Sequence, residues 1–142
     1  MTPTVHAMID AFRREGLKVT PQRHLLCTLL AETEDHPTVE AIYQRAAGRM
    51  PTLSLKTVYT TLTELADLGV IRLSTLGTGT LRVDPDPGPH AHLVCRQCGT
   101  VLDQPLDPAA GAAPAAAAAK LGFHIEEQEV IYRGRCASCR TA

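Results

Sequence analysis

The chain has 142 residues, 44% of them hydrophobic, and a formal net charge of −1, enough for one ordinary domain or two small ones. The near-neutral charge gives no pointer to a nucleic-acid partner, and no apolar run reaches the length of a membrane span, so no membrane partner is expected. The start MTPTVHAMIDAFRREG lacks the basic region and apolar block of a secretory signal, so the expected setting is cytoplasmic, with reduced thiols.

The first half reads as four short helices. Val5, Met8, Ile9 and Phe12 have helical spacing, and Gly16 follows as a stop. In VTPQRHLLCTLLAE, Thr20 is placed to cap and Pro21 to occupy the first helical position, ahead of Leu25, Leu26, Leu29 and Leu30. A third helix starts near Thr38, carries Val39, Ile42, Tyr43 and Ala46, and ends near Gly48. A fourth runs through SLKTVYTTLTELADLG, capped by Ser54, with Val58, Leu62 and Leu65 inward and Gly69 as its stop. VIRLSTLGTGTLRVD then gives two β-rich runs around Gly77-Thr78-Gly79, a hairpin signal.

Helices followed by a hairpin make a winged-helix pattern, in which the penultimate helix reads DNA. The outer face of that helix carries Lys56, Thr57, Tyr59, Thr60 and Thr63, groups that can donate to phosphates or touch base edges. A plain solvated polar face would look the same.

DPDPGPHAH marks a boundary. The expected organisation is α+β: an N-terminal winged-helix DNA-binding domain over residues 1–84, a hinge linker over 85–91, and a small C-terminal α/β dimerisation domain over 92–142. Past the linker, HLVCRQCGTVLDQ reads as two short strands around a CxxC. DPAAGAAPAAAAAKLG reads as a helix beginning after Pro114 or slightly before it, and FHIEEQEVIYRGRC as a strand leading into a second CxxC. With two Phe, three Tyr and no Trp in the chain, a domain this small needs a staple.

Four of the five cysteines form the pairs Cys95/Cys98 and Cys136/Cys139. Residues 99 to 135 between them suffice for strand, helix and strand, so the chain can return and bring both pairs around one tetrahedral Zn²⁺. A redox dithiol fits less well, because neither pair opens a helix in a βαβ setting. Cys27 lies on an apolar helical face and reads as a small buried hydrophobe. His90 and His92 are left over. On an extended segment both imidazoles point to one side, and Asp84, Asp103 and His36 are candidate partners. Such an N/O set suits Fe²⁺, Mn²⁺, Co²⁺, Ni²⁺ or Zn²⁺ rather than Cu⁺. His6, His24 and His124 have no partner pattern.

GLKVTPQRHLL, HPTVEAIY, LSLKTVYTTLTELADLGVI, HAHLVCRQCGTVLD and the final CASC fall in an order and spacing that resembles the ferric-uptake-regulator family of repressors, most closely its peroxide-sensing branch. The resemblance implies a structural Zn²⁺ on Cys95, Cys98, Cys136 and Cys139. It implies a regulatory Fe²⁺ or Mn²⁺ on His36, Asp84, His90, His92 and Asp103, and a homodimer that closes on a palindromic double-stranded operator. It places Tyr59 at a base-contacting position and Arg23 in a segment that contacts the DNA backbone. Lys18, Lys56, Thr57 and Thr60 complete the expected DNA set, and Arg13 and Arg14 add to the local positive patch. Ala91 stands where the iron-uptake branch often carries an acid, so a third metal site is not expected. Both carboxylate ligands are Asp, as in the peroxide-sensing branch.

The function expected is a metal-dependent repressor, not an enzyme, that senses peroxide by metal-catalysed oxidation of a ligand histidine. The alternative is a regulator of the same family that senses manganese or iron supply. A metal-dependent hydrolase would leave the first domain unexplained, and a zinc-ribbon interaction module would leave the histidines unused.

Overall fold

Each of the first four helices begins at a hydroxyl residue that caps it. Thr4, Thr20, Thr38 and Ser54 precede α1 (Val5–Arg14), α2 (Pro21–Ala31), α3 (Val39–Arg49) and α4 (Leu55–Asp67). Their side-chain oxygens accept the N–H of Ala7, Arg23, Ala41 and Thr57, each a donor the helix itself leaves unused. After α1 and α4 the chain turns at Gly16 and Gly69, with φ of 71° and 73°, a conformation that costs glycine little. The structure, a computed structural model, describes residues 1–141. It divides into two compact units, with the break between Gly88 and Pro89. Among the described residues no helix is long and apolar enough to cross a membrane.

In the first unit, Met8 and Phe12 of α1, Leu26 and Leu30 of α2, Ile42 of α3, and Val58, Leu62 and Leu65 of α4 are fully buried in one cluster. The antiparallel wing, β1 (Arg72–Ser74) and β2 (Arg82–Asp84), adds Val83 to it. These strands are shorter than the β-rich runs of the sequence. Ser74, Thr75 and Thr78 turn their side chains onto nearby backbone, as in Thr78 Oγ1 to Thr75 O at 2.6 Å, and so compete with the ladder. On its other side β2 meets the α2–α3 connection: Val83 N–H donates to Pro37 O at 2.8 Å, and Thr38 bridges Arg82.

The second unit is a three-stranded sheet of order β4-β3-β5, formed by β3 (His90–Cys95), β4 (Val101–Pro105) and β5 (Val130–Gly134). β3 and β4 are antiparallel, and β3 and β5 are parallel. A parallel pair needs a crossover, and α5 (Ala112–Ala119) lies in it. Pro114 falls in the first turn of α5, where its missing N–H costs nothing. The last strand is shorter than the sequence suggests. Residues 123–129 have no regular structure, and Glu126, Glu127 and Glu129 there disfavour pairing by low β-propensity and mutual repulsion. A one-turn helix, α6 (Ala137–Arg140), closes the chain. It is too short to leave a periodic signal. The architecture is α+β, a winged helix followed by a small α/β unit.

Candidate metal centres and nucleic-acid interface

The parallel pairing of β3 with β5 runs to Cys95 opposite Gly134, so the ends of both strands lie side by side. Arg96 N–H donates to Gly134 O at 2.8 Å and fastens the first CxxC turn to the chain just before the second. Within that turn Gly99, φ 75°, returns its N–H to Cys95 O at 3.0 Å. One ligand atom from each of Cys95, Cys98, Cys136 and Cys139 then lies within 4.8 Å of the others. The Cys98 and Cys136 sulfurs are 3.7 Å apart. A tetrahedron with metal–sulfur bonds of about 2.3 Å has edges of about 3.8 Å, so the donor set fits zinc. Cys136 also opens α6, but α6 is the last element among the described residues and is not in a βαβ setting; the convergence of four thiols, not two, favours metal as well.

The thiols are not equivalent. Cys95 is pulled down to about 6, chiefly by the backbone N–H of Cys136 and then by that of Cys98. Cys98 is also lowered, first by the Thr100 hydroxyl 3.1 Å from its sulfur. Cys139 is pushed up to about 12, mainly by its hydrogen bond to the Cys136 side chain and by burial. Negative charge therefore collects at Cys95 before Cys139. The fifth cysteine, Cys27, is buried in the helical core, and burial raises it to about 11. It behaves as a small hydrophobe, as the sequence suggests.

Each unit holds a share of the remaining donors. In the first, the β2 connection holds His36: Arg82 Nη1 donates to His36 O at 2.9 Å. Asp84 Oδ1 accepts the N–H of Asp86 at 3.0 Å, and Oδ2 lies 3.7 Å from His36 Nε2. In the second unit, His90 and His92 are two apart on β3 and their Nε2 atoms approach to 3.0 Å. Asp103 pairs with His92 across the ladder, so its Oδ1 sits 3.5 Å from His90 Nε2 and 3.7 Å from His92 Nε2. Two imidazoles and a carboxylate converging in this way are a ready half-site for a borderline divalent cation.

The α4 face follows its periodicity. Val58, Thr61, Leu62 and Leu65 are buried, Lys56 and Thr60 are exposed, and Thr57 and Tyr59 are half-buried. The Thr57 hydroxyl lies 2.9 Å from Ser54 Oγ. Lys18 is exposed ahead of α2. Arg23 is differently placed. Its Nε and Nη2 donate to the Glu64 carboxylate at 3.0 to 3.2 Å, its Nη1 donates to Lys18 O at 2.6 Å, and it stacks 5.0 Å from the centre of the Phe12 ring. Most of its hydrogen-bonding capacity thus pins α4 to α2. Two carboxylates missed in the sequence matter on this face: Glu64, and Glu40, whose Oε1 accepts from the Tyr59 hydroxyl at 2.9 Å. That bond raises the Tyr59 phenol above its ordinary value. Neither acid had a sequence signal, because each faces a partner on another helix.

A family model described as the ferric uptake regulator family matches residues 14–133. The peroxide-responsive repressor PerR of Staphylococcus epidermidis (strain ATCC 12228 / FDA PCI 1200) is 33% identical over 95 residues, covering 67% of this chain and 63% of that protein. The matched stretch is therefore under two thirds of that relative's length. The Helicobacter pylori ferric uptake regulator Fur shares the fold, with a TM-score of 0.78 over 98% of this chain and 95% of that one at 19% identity. A zinc-bound manganese uptake regulator is 28% identical, with a TM-score of 0.66 over 91% of this chain and 98% of that one. With its winged helix, its four-cysteine cluster and its histidine–aspartate half-sites, the chain belongs to the ferric uptake regulator family.

Proposed function

We propose that this chain is a homodimeric, metal-dependent DNA-binding repressor that responds to peroxide. The observation that carries the reading is the convergence of His90, His92 and Asp103 on one strand pair, with His36 and Asp84 held together in the other unit. Cys95, Cys98, Cys136 and Cys139 hold a structural Zn²⁺. His36, Asp84, His90, His92 and Asp103 together hold a regulatory Fe²⁺ or Mn²⁺, so residues 1–84, the hinge at 85–91 and residues 92–142 all contribute ligands. Metal-free, the two aspartates bring like charges to that set, which a divalent cation would offset. Filled, the set favours a single posture, a population shift whose size is the metal's preference for that posture.

Tyr59, Lys56, Thr57 and Thr60 face the major groove, and Lys18 faces phosphate. Arg23 stands behind them, bound to Glu64. Dimerisation doubles this local patch and sets two reading helices at a fixed separation, which suits a palindromic operator. When bound, Fe²⁺ would activate peroxide beside an imidazole, chemistry that Mn²⁺ would supply poorly. His36 and His90 are the rings that would take up one peroxide oxygen, the ring giving up two electrons while the other oxygen leaves as water; each would lose donor strength, the ligand set would fall apart and the operator would be released.

A second reading, a sensor of manganese or iron supply, is favoured by the likeness to a manganese uptake regulator. Operator binding with Fe²⁺ and with Mn²⁺, before and after brief peroxide, separates the two when joined to peptide mass spectrometry. Peroxide sensing requires one added oxygen on a His36 or His90 peptide and loss of DNA in the iron form alone. Unmodified histidines with intact metal-dependent binding leave the supply sensor.

A further inference from the structure

Glu40 and Tyr59 meet on the exposed surface of the first unit, from different helices. Val39 and Ile42 are buried on α3, which turns Glu40 outward, and Val58 and Leu62 are buried on α4, which leaves Tyr59 on its flank. The Tyr59 ring packs partly against the core, while its hydroxyl donates to Glu40 Oε1 at 2.9 Å. A phenol has one proton and two lone pairs. With the proton committed to a carboxylate, the oxygen can only accept from a third group. Phosphate oxygens also only accept, and here they would meet the Glu40 charge as well. On the major-groove edge the groups that donate are adenine N6 and cytosine N4, and the same groups can donate to a glutamate.

We propose that Glu40 is a positioning residue that commits Tyr59 to accept a hydrogen bond from a base amino group, so that the pair reads an adenine or a cytosine at one operator position instead of gripping phosphate. The inference rests on the DNA-binding reading above and names what that reading leaves open, the sense of one base contact. The same bond raises the Tyr59 ionisation above its ordinary value, so the phenol keeps its proton with or without it at neutral pH.

The test starts with a duplex selected from a randomised pool by the metal-loaded wild-type protein. That duplex, its single-base-pair variants, and analogues lacking one amino group (purine for adenine, pyrimidin-2-one for cytosine) are titrated with wild type, Glu40→Ala, Glu40→Gln, Tyr59→Phe and the double variant Glu40→Ala/Tyr59→Phe. Glu40→Ala and Tyr59→Phe each lose discrimination on the order of tenfold at the same position, the size of one hydrogen bond. The double variant loses no more than either, as expected for groups that act as a unit. Glu40→Gln, whose amide oxygen still accepts from the phenol, keeps most of the discrimination. Removing the amino group at that position costs the wild type the same factor and costs Glu40→Ala nothing. Thermal midpoints stay level across the set, because an exposed pair contributes little to stability. Glu40→Ala with full discrimination where Tyr59→Phe has lost it overturns the proposal, and so does a uniform change in affinity for every duplex, which is a charge effect alone. A wild-type protein that selects no sequence overturns the DNA-binding reading, and this proposal with it, before any variant is made.

Discussion

The helical unit buries Met8, Phe12, Leu26, Leu30, Ile42, Leu62 and Leu65 completely, whereas α5 of the second unit buries no residue and β4 is exposed along most of its length. Leu102, Leu121, Phe123 and Tyr132 of that second unit stand in contact with solvent. The contrast identifies what stabilises each unit. The first can rest on the hydrophobic effect, at ~1.5–3 kcal/mol for each large side chain fully buried. The second has no comparable core within one chain, and its sheet ends instead in four sulfurs. It is a fold that needs cross-linking by metal, and its exposed apolar surface suits the partner chain that the dimeric reading supplies.

Removing the metal should break this contrast most visibly. In small zinc domains the metal contributes ~10–16 kcal/mol of apparent free energy, more than such a unit holds otherwise. Chelation, or Cys136→Ser, should abolish amide protection in β3 and β5 while the four N-terminal helices keep theirs. Hydrogen exchange read by unit is the measurement. Persistent protection of β3 in zinc-free protein would show that the sheet stands without the cluster.

The converse substitution is Leu62→Ala in α4. Leu62 is fully buried among the other helices, so the truncation should cost the first unit ~2–5 kcal/mol by lost transfer energy and cavity. Zinc content and β3 protection should not change. A smaller effect is expected at the Arg23–Glu64 pair. Both side chains are partly exposed, at 18% and 26%, which discounts the interaction to about 1 kcal/mol despite its two-oxygen geometry. Glu64→Ala should therefore lower the urea midpoint of the first unit only slightly. Its larger effect should be on DNA affinity, because Arg23 would lose the contact that ties α2 to α4.

The contrast also explains how much the sequence disclosed. The helices were legible because each combines a hydroxyl cap with apolar residues at helical spacing, as at Ser54 with Val58, Leu62 and Leu65, and tertiary packing agrees with both signals. The four cysteines were legible because their spacing is itself the constraint. Asp103 could be suspected, and the ladder supplies the reason: it faces His92 across β3 and β4. The ends of β1, β2 and β5 were not legible. Hydroxyl side chains near the wing and glutamates before β5 decide where pairing stops, and neither alters hydrophobic periodicity. Glu40 and Glu64 were hidden for another reason. Their importance lies in a hydroxyl and a guanidinium delivered from elsewhere in the chain, 19 and 41 residues away.

The last effect predicted is confined to alkaline pH and concerns Cys27, the one thiol outside the metal cluster. It is inside the apolar core, and burial raises its ionisation from 9.0 to about 11. The folded chain therefore holds this proton more tightly than the unfolded chain does. The sign follows from linkage: the contribution to stability is fully present below about pH 9, where both states are protonated, and is lost as pH rises toward 11, where only the folded state still keeps the proton. Over that window the first unit should lose stability at up to about 1.4 kcal/mol per pH unit from this group alone. Cys27→Ala removes the titrating group at the cost of a small volume change, so its urea midpoint should fall less steeply with pH than that of the wild type. At neutral pH the two should differ only by a constant, and Cys27 should resist alkylation in the native state. Parallel midpoint curves between pH 9 and 11 would mean that the core admits the thiolate, and that the first unit is less dry than its packing indicates.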